Sequence, residues 1–286
     1  MATFYNQATL SYNGTVASSN ITSGEILEVL SVEKSAVSDR YSQGSENVYM
    51  ISIVNTGSVC YNELTVTDDL GAYSFGDDES KAVPLTYQEG SFSYYVNGVQ
   101  QATPTITSVS PLTVTNINVP AGGNVMLVYA VEANRFAPMG DDAKIINTVT
   151  VNGNGFGPIN ASETVPYRDE INLAISKSLS PAAVEENGEV TYTFMIQNFG
   201  TLPAEASDNV IFSDTFSPAL SGLTAEFNGT PWISGQNYAY DPAAGVFTSL
   251  EGQLTVPAAN FSQIARTGEW TVQAGISTLV IKGRLA

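Results

Sequence analysis

The side chains of this 286-residue chain that could do chemistry are few, and what is missing narrows the field first. There is no histidine, which removes Ser-His-Asp and Cys-His nucleophile arrangements and most transition-metal sites. The one cysteine, Cys60, cannot form an internal disulfide and reads as an idle thiol or one half of an intermolecular bond. No phosphate-cradling glycine loop, dinucleotide fingerprint or paired-cysteine zinc spacing occurs. "GDDES" (76–80) and "MGDD" (139–142) offer oxygen atoms of the kind Ca²⁺ takes, but short acidic turns are ordinarily solvated, so neither a metal nor a cofactor is assigned. Trp232, Tyr238, Tyr240, Phe247 and Trp270 could stack a sugar or fill a core. Asn-x-Ser/Thr sequons at Asn13, Asn20, Asn160, Asn228 and Asn260 follow from the Asn- and Thr-rich composition. Nothing here reads as an enzyme. What remains is lysine: of five, two fall at matching places in an internal repeat, Lys34 and Lys177.

The elements that would position them are strands. Alternating Val, Ile, Thr, Tyr and Phe run between turns rich in Gly, Pro, Asn, Asp and Ser, and no long helical periodicity interrupts them. "PAAVEEN" has the composition of a helical turn, but its proline and its β surroundings argue for a loop. The chain is therefore expected to be all-β. A net charge of −18 repels nucleic acid and anionic membrane, and no apolar run is long enough for a helical span. The first residues lack the basic segment and apolar core of a secretory leader, which fits synthesis in a cytoplasm or prior removal of a leader.

The chain repeats itself. "GSENVYMISIVNTGS" matches "NGEVTYTFMIQNFGT", "NELTVTDDL" matches "DNVIFSDTF", and "NVMLVYAVEA" (124–133) is laid on "STLVIKGRLA" (277–286). Two copies of one unit predict two tandem Ig-like β-sandwiches, at 21–157 and 158–286, after an N-terminal strand and linker at 1–20. The frame is shifted. After its last matching strand the first copy continues into "IINTVTVNG" (145–153), and the second has no counterpart there. The counterpart, "FYNQATLSYNG" (4–14), stands at the other end of the chain.

A sandwich short of one strand exposes unpaired backbone groups and a strip of core, and such an edge recruits another chain. The spare strand carries Phe4, Ala8, Leu10 and Tyr12 on one face, as a donor strand should. The expectation is head-to-tail insertion into the second domain of the next copy, a contact that propagates into a fibre. The intramolecular alternative, with the strand folding back on its own chain, stands beside it; "TVASSNITSG" offers little linker for that path.

Two segments, "VEKSAVSDRYSQGSENVYMISIVNTGSVCYNELTVTDDLGAY" and "ISKSLSPAAVEENGEVTYTFMIQNFGTLPAEASDNVIFSDTF", resemble a conserved bacterial surface-protein repeat of unknown function, an Ig-like β-sandwich found in tandem on cell-wall and spore-surface proteins. Each has a first-strand lysine, a strand ending in Asn-x-Gly, and a strand ending in Asp. The second copy departs from the pattern, with Phe199 where Thr56 stands and no final Asn-bearing strand. Two copies in a chain of this size also resemble the major structural proteins of endospore appendages in anaerobic spore-formers.

The resemblance implies an amide cross-link between the first-strand lysine and a last-strand asparagine, promoted by a buried carboxyl. The matching residues are Lys34, Asp68 (or Asp69 in its place) and Asn147 within the first copy. In the second, Lys177 and Asp214 match, and the aligned asparagine is Asn6 of the spare strand. Burial would disfavour charge on both lysine and carboxyl, leaving an amine able to attack the carboxamide while the acid polarises its carbonyl. The ordinary alternative is that these Asn and Asp residues cap turns and the lysines reach solvent. The expected function is thus a structural fibre subunit on a cell or spore surface, with other copies of itself and other surface or appendage proteins as partners, and neither nucleic acid nor membrane insertion. The competing reading is a surface adhesin that engages glycan or protein through its aromatics.

Overall fold

The computed structural model describes residues 2–26, 29–76 and 80–285. Strands dominate, and the one helical element among the described residues is a three-residue turn at Ala206–Asp208. "PAAVEEN" is a loop. Strand formation follows the period-two pattern: Glu46–Asn55 turns Tyr49, Ile51 and Ile53 inward and its even-numbered residues outward. Glu189–Asn198 does the same with Val190, Phe194 and Ile196.

Two Ig-like β-sandwiches result, each with its own core. In the first, one sheet runs Val99–Gln101, Ser93–Val96, Asn124–Ala133, Glu46–Asn55, Leu30–Ala36, with Leu85–Tyr87 also pairing to Asn124–Ala133. The facing sheet runs Thr105–Val109, Leu112–Val119, Tyr61–Asp68, Lys144–Gly153, Phe156–Pro166. Between them lie Ile53, Ile117, Leu127, Tyr129 and Val149, all fully buried. In the second, the larger sheet runs Leu173–Ser180, Glu189–Asn198, Gly275–Leu285, Leu220–Phe227, Thr230–Trp232. Its partner has three strands, Ser213–Thr215, Val246–Ser249 and Tyr238–Asp241. Phe194, Phe247, Leu279 and Ile281 fill the gap.

The Asn-x-Gly at the end of each long strand is structural. Buried Asn55 donates to the Val59 and Pro120 carbonyls at 2.8 and 2.9 Å and accepts from Gly57 N at 2.9 Å. Asn198 repeats this with Leu202 and Gly200 at 2.7 and 2.9 Å. A Cβ on Gly200 would stand 2.0 Å from the Glu170 carbonyl oxygen, so only glycine fits there.

Two of the expected boundaries move. Phe156–Pro166 pairs with Lys144–Gly153 along its length, so the first sandwich extends past 157 to the Tyr41–Tyr167 bridge. The segment read as a linker is also strand. Ala2–Asn6 pairs with Thr22–Ile26, and Thr9–Tyr12 pairs with Thr15–Ser18. Asn13 and Gly14, at φ 47° and 78°, make the tight turn that a two-residue hairpin needs. The N-terminal extension is therefore a two-stranded arm. Among the described residues its hydrogen bonds stay within 2–26, and Tyr5, Leu10, Tyr12 and Val16 are 71, 65, 57 and 64% exposed.

The sandwiches meet through the hairpin Asn260–Gln263/Trp270–Gln273. Trp270 Nε1 and Gln263 Nε2 donate to the Tyr73 hydroxyl at 3.0 and 2.8 Å, and Phe261 packs edge-on to Tyr167.

Because Asn55 bonds the Val59 and Pro120 carbonyls and Gly57 N, and Asn198 bonds the Leu202 carbonyl, Gly200 N and Asn172 N, Asn55→Ala and Asn198→Ala should each lower the stability of their own sandwich by about 3 kcal/mol. Chemical denaturation of each variant, followed by tryptophan fluorescence for the second sandwich and circular dichroism for both, measures this.

Candidate functional site

In the first sandwich the Lys34 strand (Leu30–Ala36) lies at the edge of one sheet, opposite the Asp68 strand (Tyr61–Asp68) in the other. Both side chains point into the space between, at 0 and 2% side-chain exposure, and Lys34 Nζ is paired directly to Asp68 Oδ2. The Tyr129 hydroxyl donates to the same oxygen, and Leu70 N donates to Oδ1 at 2.9 Å. Lys34 Nζ also sits 5.0 Å from the Tyr49 ring centroid. Burial lowers the Lys34 pKa below its ordinary 10.5, against the pull of the Asp68 carboxylate.

The choice between Asp68 and Asp69 is resolved by geometry. Asp69 Oδ1 accepts from Gly71 N and Thr148 N at 2.8 and 2.9 Å and so holds the turn. Asp68 holds the lysine.

Asn147 is fully buried on the strand that pairs with the Asp68 strand. Its Oδ1 accepts from Gly71 N at 3.2 Å, while its Nδ2 has no hydrogen-bond partner. Its amide interacts with the Tyr49 and Tyr129 hydroxyls, which also feel Asp68. Lys34, Asp68 and Asn147 thus converge on one dry pocket. A backbone N–H polarises the carboxamide carbonyl there, and the carboxamide nitrogen faces the Tyr49 and Tyr129 hydroxyls without a hydrogen bond of full geometry. Tyr49, Tyr129 and Gly71 complete the pocket, and sequence reasoning did not single them out. Gly71 left a trace in "DDLG": its φ is 73°, and a Cβ would meet Ile145 at 2.6 Å.

The second sandwich carries the same pair in a different state. Lys177 Nζ and Asp214 Oδ2 are 2.5 Å apart, at 42 and 19% side-chain exposure. Lys177 lies over the rings of Tyr192, Phe194 and Phe216 at 4.7, 5.3 and 5.4 Å. The Asp214 strand, Ser213–Thr215, pairs only with Val246–Ser249, so its other side is an open edge among the described residues. A groove of about 370 Å³ runs there between Ile175, Lys177, Phe194, Phe212 and Asp214. Asn6 is not in it: it is exposed in the arm, opposite Thr22. Leu10, Ala8 and Tyr12 are exposed with it, and the Phe4 side chain lies outside the described residues.

The pairing register corrects one part of the repeat. Tyr129 faces Tyr49 across its ladder and Ile281 faces Tyr192, so Ile281 rather than Lys282 stands in the place of Tyr129. The second site therefore has no hydroxyl on its carboxylate from that strand. Ser217 stands where Gly71 does.

The aromatics do not form a platform. Phe247 and Tyr238 are buried and stacked at 4.7 Å, Trp232 packs on Phe227, the Tyr240 hydroxyl accepts from Leu220 N, and Trp270 bonds to Tyr73. Asp141 and Asp142 are exposed, and Asp77 and Asp78 lie outside the described residues. Among the described residues no three His, Cys, Asp or Glu group as a metal site would need. Cys60 is exposed and free.

No family model matches the chain, and no curated protein matches it. Among solved structures it is similar to the collagen-binding domain from a Staphylococcus aureus adhesin, at 12% identity over 47% of this chain and 95% of that one, TM-score 0.31. It is similar to the pilus backbone RrgB from Streptococcus pneumoniae at 11% identity over 86% of this chain, TM-score 0.36, and spans 55% of that protein. BcpA, the major pilin subunit of Bacillus cereus, matches at 11% identity over 95% of this chain and 73% of that one, TM-score 0.36.

Asp68 serves three buried donors, so Asp68→Ala should cost about 3–5 kcal/mol, since it strands an amine in a dry core. Burial also raises the hydroxyls of Tyr41, Tyr49 and Tyr129 above their ordinary 10.0. A phenol raised in the folded state stabilises the fold fully below the unfolded value and loses that contribution as pH climbs past it. Lys34, lowered, has the opposite sign but is one group against three. Denaturation midpoints should therefore fall between about pH 9 and about pH 11, and Tyr129→Phe should shrink that fall even though it weakens the protein at the lower pH.

Proposed function

We propose that this chain is the structural subunit of a surface fibre, in which the N-terminal arm of one copy enters the open edge of the second sandwich of the next. The observation that carries this is the contrast between two copies of one site. Lys34 is sealed under an asparagine-bearing strand; Lys177, with the same partner, stands half open beside an unpaired edge. The chain carries one exposed strand of the type that seals the first site, and it is in the arm. In the first sandwich Val149, Thr150 and Val151 pair with Asp68, Thr67 and Val66. In the same register Ala8, Thr9 and Leu10 would pair with the neighbour's Asp214, Ser213 and Phe212. Ala8 and Leu10 would fill the places of the fully buried Val149 and Val151, and Phe4 that of Ile145. A slip of one residue would turn them all outward, so register is fixed by the core. Each contact of this kind extends the chain of subunits rather than closing it. The resemblance to surface and endospore-appendage proteins supports a location outside the cell or on the spore.

Within the first sandwich the same reading includes a covalent bond. Lys34 Nζ, as the neutral amine that burial favours, attacks Cγ of Asn147. The Nζ–Cγ bond forms, the Cγ–Nδ2 bond breaks, and Nδ2 leaves as ammonia with a proton passed from the amine through Asp68. Gly71 N–H steadies the charge on Oδ1. At the intersubunit site the groups would be Lys177, Asp214 and Asn6, without a counterpart of the Tyr129 hydroxyl, so that bond should form more slowly.

Three measurements follow. Leu10→Asp places a charge where about 1.5–3 kcal/mol of apolar burial is expected, and should leave monomers where the unsubstituted chain gives fibres in negative stain. Normal fibres from that variant would contradict strand donation. The intact mass should lie below the sequence mass by ~17 Da per bond, and Lys34→Ala should restore agreement between measured and calculated mass. An unsubstituted chain at its full sequence mass would end the covalent part. Fibres boiled in detergent should run as a ladder that Asn6→Ala and Lys177→Ala each collapse to monomer; monomer from unsubstituted fibres would leave the junction non-covalent.

A further inference from the structure

We infer that the donated element is the whole hairpin of residues 2–26, not its leading strand alone, and that its returning strand seats along the Lys177 strand of the next copy. This rests on the head-to-tail reading above and says what crosses between subunits. The first sandwich contains the precedent. There, Lys144–Gly153 and Phe156–Pro166 form a hairpin in which Asn147 stands opposite Glu163. In the arm, Asn6 stands opposite Thr22, the same sixteen residues away. Both hairpins turn near an Asn-Gly, and both take up one extra residue in the returning strand. The pairing shifts between Val151 and Gly153 in the first and between Asn6 and Thr9 in the second. The arm is thus a second copy of an element whose seat is known.

That seat needs both strands. Lys144–Gly153 pairs with the Asp68 strand, but it is the returning strand that closes over the Lys34 strand. Val165 is buried there, Glu163 acts on Lys34 electrostatically, and Tyr41 exchanges backbone hydrogen bonds with Pro166 and Arg168. Among the described residues the second sandwich has neither cover. Its Lys177 strand, Leu173–Ser180, is exposed from Ala174 onward, including Ile175 at 56% and Leu179 at 42%. The corresponding Val32 and Ala36 are half-buried against the core. A leading strand alone would satisfy the Asp214 edge and leave this second strip bare. With the hairpin, the neighbour's Lys177 would meet the Thr22 hydroxyl where Lys34 meets Glu163.

The test locks the hairpin. Tyr5 and Ser23 stand directly opposite each other, within the reach of a cross-strand disulfide, and Tyr5 is exposed. Full-length Tyr5→Cys/Ser23→Cys in a Cys60→Ser background should assemble equally well oxidised and reduced, with the disulfide intact in the fibres. If the oxidised protein stays monomeric while the reduced protein polymerises, the strands must part and the inference is wrong. If neither these proteins nor the unsubstituted chain polymerise, the head-to-tail reading falls with it. As a second variant, Thr22→Pro interrupts only the returning strand. It should cut assembly at least tenfold, and undiminished assembly would overturn the proposal.

Discussion

A lysine and an aspartate sealed between two β-sheets have given up their hydration, so they must pair and their remaining polar atoms must find partners. The first sandwich meets that condition with a hairpin. Its leading strand brings Asn147 and closes the sheet beside Asp68, and its returning strand covers Lys34. Tyr129 and Leu70 N satisfy the carboxylate, and Gly71 N takes the asparagine carbonyl. One atom of the set, Asn147 Nδ2, lacks a full hydrogen bond, and it is the atom that departs if the amine and the carboxamide join.

The second sandwich holds the same pair without its hairpin, and its irregularities follow from that one omission. Among the described residues its smaller sheet has three strands where the other sandwich has five, and the Asp214 strand pairs on one side only. Its lysine rests on three aromatic rings instead of in a closed pocket. Its edge strand shows apolar side chains to solvent. The arm has the complementary feature: among the described residues its Leu10 and Tyr12 are exposed. On the reading proposed above these are two halves of one junction, and the aromatics weighed for glycan binding are engaged in the core and between the sandwiches.

Much of this was legible in the residues. Period-two alternation identified strands, and the recurrence of Lys, Asn-x-Gly and Asp identified the repeat and its shifted frame. Alternation of Phe4, Asn6, Ala8, Leu10 and Tyr12 was visible too. The rest depended on pairing. "TVASSNITSG" (15–24) reads as linker because Ser, Thr, Asn and Gly dominate it; it becomes strand because the Asn13–Gly14 turn aligns it with residues before it. The boundary at 157 failed for the same reason, since Phe156–Pro166 owes its place to Lys144–Gly153. Tyr129 could not be recognised from composition, because an apolar-looking strand tyrosine reveals its hydroxyl partner only when the opposite sheet is in place. The register that sets Ile281 in its position is likewise a property of the ladder and not of local similarity.

The central claim is that Lys177 becomes buried when copies join, as Lys34 is buried within one copy. Reductive methylation with peptide-level mass spectrometry, on monomeric and assembled protein side by side, measures this. The account predicts that Lys177 is modified readily in the monomer and protected in the assembled form, with Lys34 protected in both. Equal modification of Lys177 in the two states would contradict it.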